Sequence, residues 1–426
     1  MLNSRLVTLS ENIQKVATVF IIKIDIYTYY HYKRIIGMRV LFSLLLFYTL
    51  QSSLLFAATN TKLLLSKKGF CDTIKISYIN GHIYVPVKIN NKEYKFLFDT
   101  GARDFMLDSA NGNIVKEQQG SILFGGFDKR KDKTEYGFMR EFQLGSVSIS
   151  NYNYVVINVG MPLNCDGMLG AYRLIENGIS VKINLQDSLL VLTDIKNVFD
   201  KEDGFEIPYK NKLNVQFTMS YGCSGWAMFD TGANSFMRVD KSEYYDKSAS
   251  GKSGNLFMEQ IEWRDIGSAA RGANGLEKPN EQIFMKLKEL RLGEGIFCEI
   301  PIKAAFGGTL IGSRILEYGN IIINPERKKL IYQPYASGKV VRIEKKNDDV
   351  VYSWENGNLY VSMINTNSDV YKQGLRKGFC LTEYNNYPIA DVNDYLNAKE
   401  KSSKDLTFSA KFKNETGDII EILINR

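Results

Sequence analysis

Phe98-Asp99-Thr100-Gly101-Ala102 recurs 131 residues later as Phe229-Asp230-Thr231-Gly232-Ala233. Both copies follow an apolar run, and both continue into Phe-Met, at Phe105-Met106 and Phe236-Met237. A lone Asp-Thr-Gly turns up by chance in about one chain in twenty of this length. Two five-residue copies in matched surroundings point instead to one folding unit written twice, each copy presenting one carboxylate. Two carboxylates facing each other across a pseudo-twofold axis can share one proton and activate a water. In each copy the glycine permits the tight turn that ends the strand behind the aspartate.

The text around the two copies follows one grammar. Residues 74–79, 82–89 and 93–98 alternate as strands, separated by Asn80-Gly81 and Asn90-Asn91, which read as hairpin turns. The third of these strands delivers Asp99 to its C-terminal end. Some way on comes Asp166-Gly167-Met168-Leu169-Gly170, then a short helix over 172–177 and a hairpin formed by 181–185 and 189–192. The second half repeats the order, with Leu310-Ile311-Gly312, a short helix over 313–318, and a hairpin of 321–323 with 329–332 around Asn324-Pro325-Glu326-Arg327.

This order, Asp-Thr-Gly followed by apolar-apolar-Gly, helix and hairpin, resembles the aspartic proteases, pepsin-like and retropepsin-like, over about residues 72–335. Alanine in the fourth motif position, Ala102 and Ala233, is similar to the retropepsin-like enzymes; pepsins usually carry Ser or Thr there. The resemblance implies a mainly β, bilobed double-ψ β-barrel, with one lobe over 61–203 and the other over 204–335. It implies Asp99 and Asp230 as the catalytic dyad. Thr100 and Thr231 would brace the two loops through hydroxyl-to-backbone hydrogen bonds, and Gly101 and Gly232 would let the loops approach and offer N–H groups to the carboxylates. A flap hairpin is expected within 121–145, where Tyr136 beside Gly137 is the residue of interest and an ordinary hairpin tyrosine is the competing reading. The matching stretch of the second lobe is 262–275, rich in Gly and Ala. Water attack between two carboxylates needs no covalent intermediate, metal or cofactor, and the substrates implied are peptides or proteins. The alternative is a catalytically silent peptide-binding protein of the same fold, which two intact Asp-Thr-Gly copies argue against.

After Tyr335 the pattern changes. Ala336-Ser337-Gly338 reads as a linker. Residues 359–364, the run from Ser368 to Gly378, and Tyr384-Asn385-Asn386-Tyr387-Pro388-Ile389 resemble a bacterial PDZ domain covering about 340–426. The resemblance implies a small α+β domain that binds peptides by strand addition and holds a C-terminal carboxylate in a backbone nest, with 353–359 the stretch expected to form it. Phe379-Cys380 departs from the usual Asp-hydrophobic pair. A domain of this kind is expected to be separable, so that its removal leaves cleavage of short peptides nearly intact.

Composition narrows the chemistry further. The chain has 426 residues, 44% hydrophobic and 24% charged, as expected of a globular protein with real cores. The net charge is +7, but residues 1–58 hold six basic and two acidic groups, leaving 48 basic against 45 acidic in the rest. That balance gives no concentrated basic face for nucleic acid. Only two histidines exist, His31 and His82, so a His-rich zinc site cannot be built. A Ser-His or Cys-His pair beyond the N-terminal segment would have to use His82, which sits in an apparent strand. Carboxylates are therefore the available acid and base. The five cysteines form no close metal-ligand pair; a bridge within each repeat and free thiols both remain open. Met38-Arg39 precedes an apolar run over 40–58 that ends Phe56-Ala57-Ala58. It reads as a secretory signal or, uncleaved, as an anchor. Either reading places the rest of the chain in the periplasm or outside the cell, held to the inner membrane only in the second case, with 1–37 in the cytoplasm. Met38 competes with Met1 as the initiator.

Overall fold

The computed structural model describes residues 62–108, 118–125, 131–157, 165–251, 254–272 and 275–425. The N-terminal extension over 1–58, with its signal or anchor run, lies outside the described residues. Among the described residues no helix is long and apolar enough to cross a membrane.

Strands His82–Ile89 and Lys92–Asp99 form the hairpin expected around Asn90-Asn91, with Ile89 opposite Lys92. Both asparagines adopt positive φ, 50° and 62°, a conformation their short polar side chains tolerate. The hairpin belongs to a sheet that runs Val147–Ile157, Phe105–Asp108, Gly167–Gly170, Lys92–Asp99, His82–Ile89, Lys131–Leu144. The second repeat builds the same order from Gly295–Ala305, Met237–Asp240, Leu310–Gly312, Ser224–Asp230, Asn214–Met219 and Asn280–Leu292. In each sheet the apolar-apolar-Gly strand lies parallel to the strand that ends in the aspartate, so Gly170 stands opposite Asp99 and Gly312 opposite Asp230. Glycine is needed at both places: a Cβ on Gly170 would meet the backbone of Arg103 and Asp104, and one on Gly312 the backbone of Ala233 and Ser235.

The two repeats join through six antiparallel strands in the order Cys71–Lys75, Leu189–Thr193, Ser180–Asn184, Gly319–Asn324, Lys329–Pro334, Phe205–Lys210. The two middle strands come from opposite repeats and pair with Lys182 against Ile322. A pseudo-twofold axis passes between them. One hydrophobic core runs through both repeats, from Leu63 to Ile343, with Phe96, Phe98, Phe105, Phe229 and Tyr332 sealed inside it. The short helix expected at 172–177 spans Tyr172–Glu176, and that at 313–318 is a 3-10 turn, Ser313–Glu317. Helical turns at Lys241–Tyr245, Asp246–Ser250 and Gly254–Met258 were not foreseen by the strand grammar.

Past the linker, Val340–Arg342 pairs in parallel with the Ile296–Cys298 segment of the second repeat. A further sheet follows, in the order Val350–Glu355, Asn358–Ile364, Cys380–Tyr384, Thr407–Lys413, Ile419–Asn425, with helices Asp369–Lys372 and Val392–Lys401. Residues 353–359 form the end of its edge strand and the turn out of it. This sheet is docked on the second repeat, and the described residues from Leu63 onward pack as one unit. Ser362 Oγ accepts from Ser268 N at 3.0 Å and donates to Ser268 O at 2.7 Å. Asp265 accepts from Ile364 N at 3.1 Å and from Lys377 Nζ at 2.9 Å. Met363 packs on Trp263 and Phe284, whose rings stack at 3.8 Å. All five cysteines are free thiols.

Candidate active site

Asp99 and Asp230 sit at the ends of their strands on either side of the pseudo-twofold axis, close enough that each carboxyl group acts on the ionisation of the other. The loops around them are cross-braced. Thr100 N donates to Thr231 Oγ1 and Thr231 N to Thr100 Oγ1, each at 3.0 Å. The hydroxyls then donate across the axis, Thr100 Oγ1 to Phe229 O at 2.9 Å and Thr231 Oγ1 to Phe98 O at 2.6 Å. Both threonines are fully buried, so each of these bonds satisfies a group that water cannot reach.

The backbone N–H groups of the motif converge on the carboxylates. Gly101 N and Ala102 N donate to Asp99 Oδ1 at 2.8 and 3.0 Å, and Gly232 N to Asp230 Oδ1 at 2.9 Å. The glycines also set the approach of the loops. A Cβ on Gly101 would fall 2.5 Å from Asp230 Cγ, and one on Gly232 2.6 Å from Asp99 Cγ. Any side chain at either position would push the carboxyl groups apart.

Burial, and next to it the Asp230 carboxylate, hold the Asp99 carboxyl well above the ordinary carboxylate range. Burial also raises Asp230, but the neighbouring Asp99 carboxyl, the Gly232 N–H and the nearby Arg238 guanidinium oppose it. The pair is therefore unequal. Two carboxylates this close cannot both ionise cheaply, so the pair holds one proton between them.

Tyr136 and Gly137 lie in Lys131–Leu144, which forms a hairpin with Gln118–Gly125 and places Tyr136 opposite Gly120. Its ring belongs to a cluster with Met106, Ile122, Phe124, Val155, Ile157 and Met168. This cluster covers the face of the first sheet that points away from the shared core. The tip of the hairpin lies outside the described residues.

Strand register exposes a difference between the repeats that the shared Phe-Met dipeptide conceals. In the first repeat Met106 pairs with Met168 and with Val155. At the matching positions of the second, Arg238 pairs with Leu310 and with Lys303. The second repeat thus carries one more residue between its aspartate and the strand. Met106 corresponds to Arg238, not to Met237, and Val155 to Lys303. Arg238 is buried and interacts electrostatically with Asp230, Asp240 and Glu277. Burial and the neighbouring Arg238 push Lys303 down to about 8, against the attraction of Glu277. Counting residues from the duplicated Gly of the crossing strand, not from Asp-Thr-Gly, is the signal that would have found this pair.

Residues 85–172 match the family model described as aspartyl protease. The match spans Asp99-Thr100-Gly101, the hairpin with Tyr136, and the crossing strand through Gly170, and supports a protease function. No curated protein matches the chain.

Proposed function

We propose that the chain is an aspartic-type endopeptidase in which two lobes, residues 61–203 and 204–335, supply one carboxylate each to a single site. The observation that carries this reading is the reciprocal clasp at the axis, where Gly101 lies against Asp230, Gly232 lies against Asp99, and the two threonines are cross-bonded between the loops. A water bound between them loses a proton to the ionised Asp230 and attacks the peptide carbonyl carbon. Asp99 gives its proton to the carbonyl oxygen, forming a tetrahedral diol. The proton on Asp230 then passes to the departing nitrogen, the C–N bond breaks, and one proton of the diol returns to Asp99. Thr100, Thr231, Gly101 and Gly232 hold the two carboxyls in place, and the hairpin bearing Tyr136 and Gly137 acts as the flap.

The tail, residues 340–426, acts as a PDZ-like peptide-binding domain. Its strand Val350–Glu355 lies at a sheet edge, with Tyr352 in ring contact with Tyr395 of the helix Val392–Lys401 at 5.5 Å. An edge strand beside a helix is the arrangement to which a peptide adds as one more strand. The apolar run at 40–58 supports export to the periplasm or beyond. The test is incubation of the full chain with a denatured mixed-protein substrate across pH 4–8, followed by mass spectrometry of the products. New internal peptide ends are expected. Intact substrate at every pH would overturn the enzymatic reading in favour of a silent binder.

A further inference from the structure

Along the strand Ser224–Asp230 the side chains alternate. Ala227 and Phe229 are buried in the core, and Trp226, Met228 and Asp230 share the opposite, more open face. Trp226 is 38% exposed and stands four residues before Asp230, about 13 Å along the strand. There it walls a pocket of about 550 Å³ together with Tyr209, Lys210, Asn211, Asn214 and Lys328. No carboxylate lines this pocket among the described residues. Lys210 Nζ lies 4.0 Å from the centre of the Trp226 ring, which attracts the ammonium without neutralising it. Lys329 next door is paired with Glu206, whereas Lys210 and Lys328 make no ion pair among the described residues. The backbone beneath is fixed: Tyr209 N donates to Lys328 O at 3.0 Å, Asn214 Nδ2 to Asn211 O at 2.6 Å, and Lys212 N to Tyr172 Oη at 3.0 Å. The first repeat has no counterpart. Its bond from Ile76 N to Ser188 O matches that from Tyr209 N to Lys328 O, and Lys95 stands four residues before Asp99. Ile76, Lys95 and Ser188 thus hold the places of Tyr209, Trp226 and Lys328, so the repeat is built there without the aromatic wall or the lysine pair.

Resting on the endopeptidase reading, we propose that this pocket is a substrate exosite: it takes an acidic side chain of the bound peptide on Lys210 and Lys328, beside the Trp226 ring. An extended peptide rises about 3.3 Å per residue, so it covers the distance from Asp230 to Trp226 in about four residues. A carboxylate there gains charge-assisted hydrogen bonds that an amide of the same shape does not. The sequence signature of the substrate is then Glu or Asp about four residues from the cleaved bond, on one side of it.

The experiment uses the full chain and a set of internally quenched peptides in which each position in turn is Glu or Gln. The peptides are C-terminally amidated, so that no terminal carboxylate engages the tail. At a position about three to five residues from the cleaved bond, Glu should exceed Gln in kcat/KM by about three-fold or more, the scale of two partly exposed ion pairs. Lys210→Met and Lys328→Asn should each lower that ratio, and the two together should bring it towards one; asparagine tolerates the positive φ that Lys328 adopts. The same Glu and Gln peptides, fluorescently labelled, are also titrated by anisotropy against the Asp99→Asn chain, with and without the two lysine substitutions, which reads the preference without cleavage. If no peptide is cleaved, the endopeptidase reading fails, and the binding ratio still decides whether the pocket takes acidic side chains. Equal behaviour of Glu and Gln at every position, or a preference that survives in the folded chain lacking both lysines, overturns the proposal.

Discussion

At Ala102 and Ala233 only backbone N–H groups reach the carboxylates from the residue after the glycine, as Ala102 N does at 3.0 Å. A serine hydroxyl there would add a hydrogen bond to the ionised form and lower its pKa. The dyad, already raised by burial, should hold its shared proton into the mildly acidic to near-neutral range. The pair Ala102→Ser and Ala233→Ser should shift the pH optimum of kcat/KM downward; an unchanged or raised optimum would count against this origin of the pH range. His82 gives a second residue-scale expectation. Burial, reinforced by the nearby Arg314, lowers it to about 4 from an ordinary 6.5. Its folded-state pKa is depressed, so the unfolded chain binds the proton first as pH falls. His82 stabilises the fold above about pH 6.5 by an amount lost as pH drops to about 4, up to about 3 kcal/mol. Urea unfolding of wild type and His82→Gln at pH 7 and pH 4 should show the wild type losing more stability on acidification. Both aspartates were legible in the sequence because their motif is duplicated. Arg238 and Lys303 were not, because one inserted residue moves every following side chain to the opposite face of a strand, and the Phe-Met dipeptide matched across that slip.

The element that decides the site is the pair of Asp loops, and its strength lies in bonds that cross the axis. Thr100→Val removes both the acceptor for Thr231 N and the donor to Phe229 O while keeping the shape. It leaves two buried backbone groups unsatisfied, at a cost of about 1–3 kcal/mol each, and a fall in Tm together with a loss of activity is expected; unchanged melting would contradict the bracing role. The hairpins, short helices and crossing glycines were readable from alternation, turn residues and the repeat of Gly170 in Gly312. The parallel pairing of Gly170 with Asp99 was not readable from periodicity, since it joins segments some 70 residues apart. Nor were the helical turns of 241–258, where short apolar runs and scattered charges carry no strong period. The docking of the tail on Ile261–Gly267 was equally invisible, because it depends on which faces of two separate sheets meet. Met363 fills the space over Trp263 and Phe284, so Met363→Asp should expose that pair and loosen the hairpin anchored by Glu277. Faster hydrogen exchange over 261–280 would check this.

On the scale of the whole molecule, one core joins the two repeats and both motifs lie on one chain. Activity per molecule should therefore stay constant on dilution, whereas an enzyme assembling its site from two copies would lose it steeply. The tail was expected to be separable, yet Val340–Arg342 is a strand of the second repeat's sheet and Asn358–Ile364 covers its hairpin. Removal of 340–426 should thus weaken cleavage of short peptides as well as of proteins. The clearest measurement is kcat/KM on a cleaved peptide for the wild type, Asp99→Asn, Asp230→Asn and the double variant, with folding checked by circular dichroism. Groups that act as one unit lose nearly everything on the first substitution. Each single variant should fall to background and the double no lower; either single variant retaining activity within about ten-fold of wild type would contradict a shared-proton dyad.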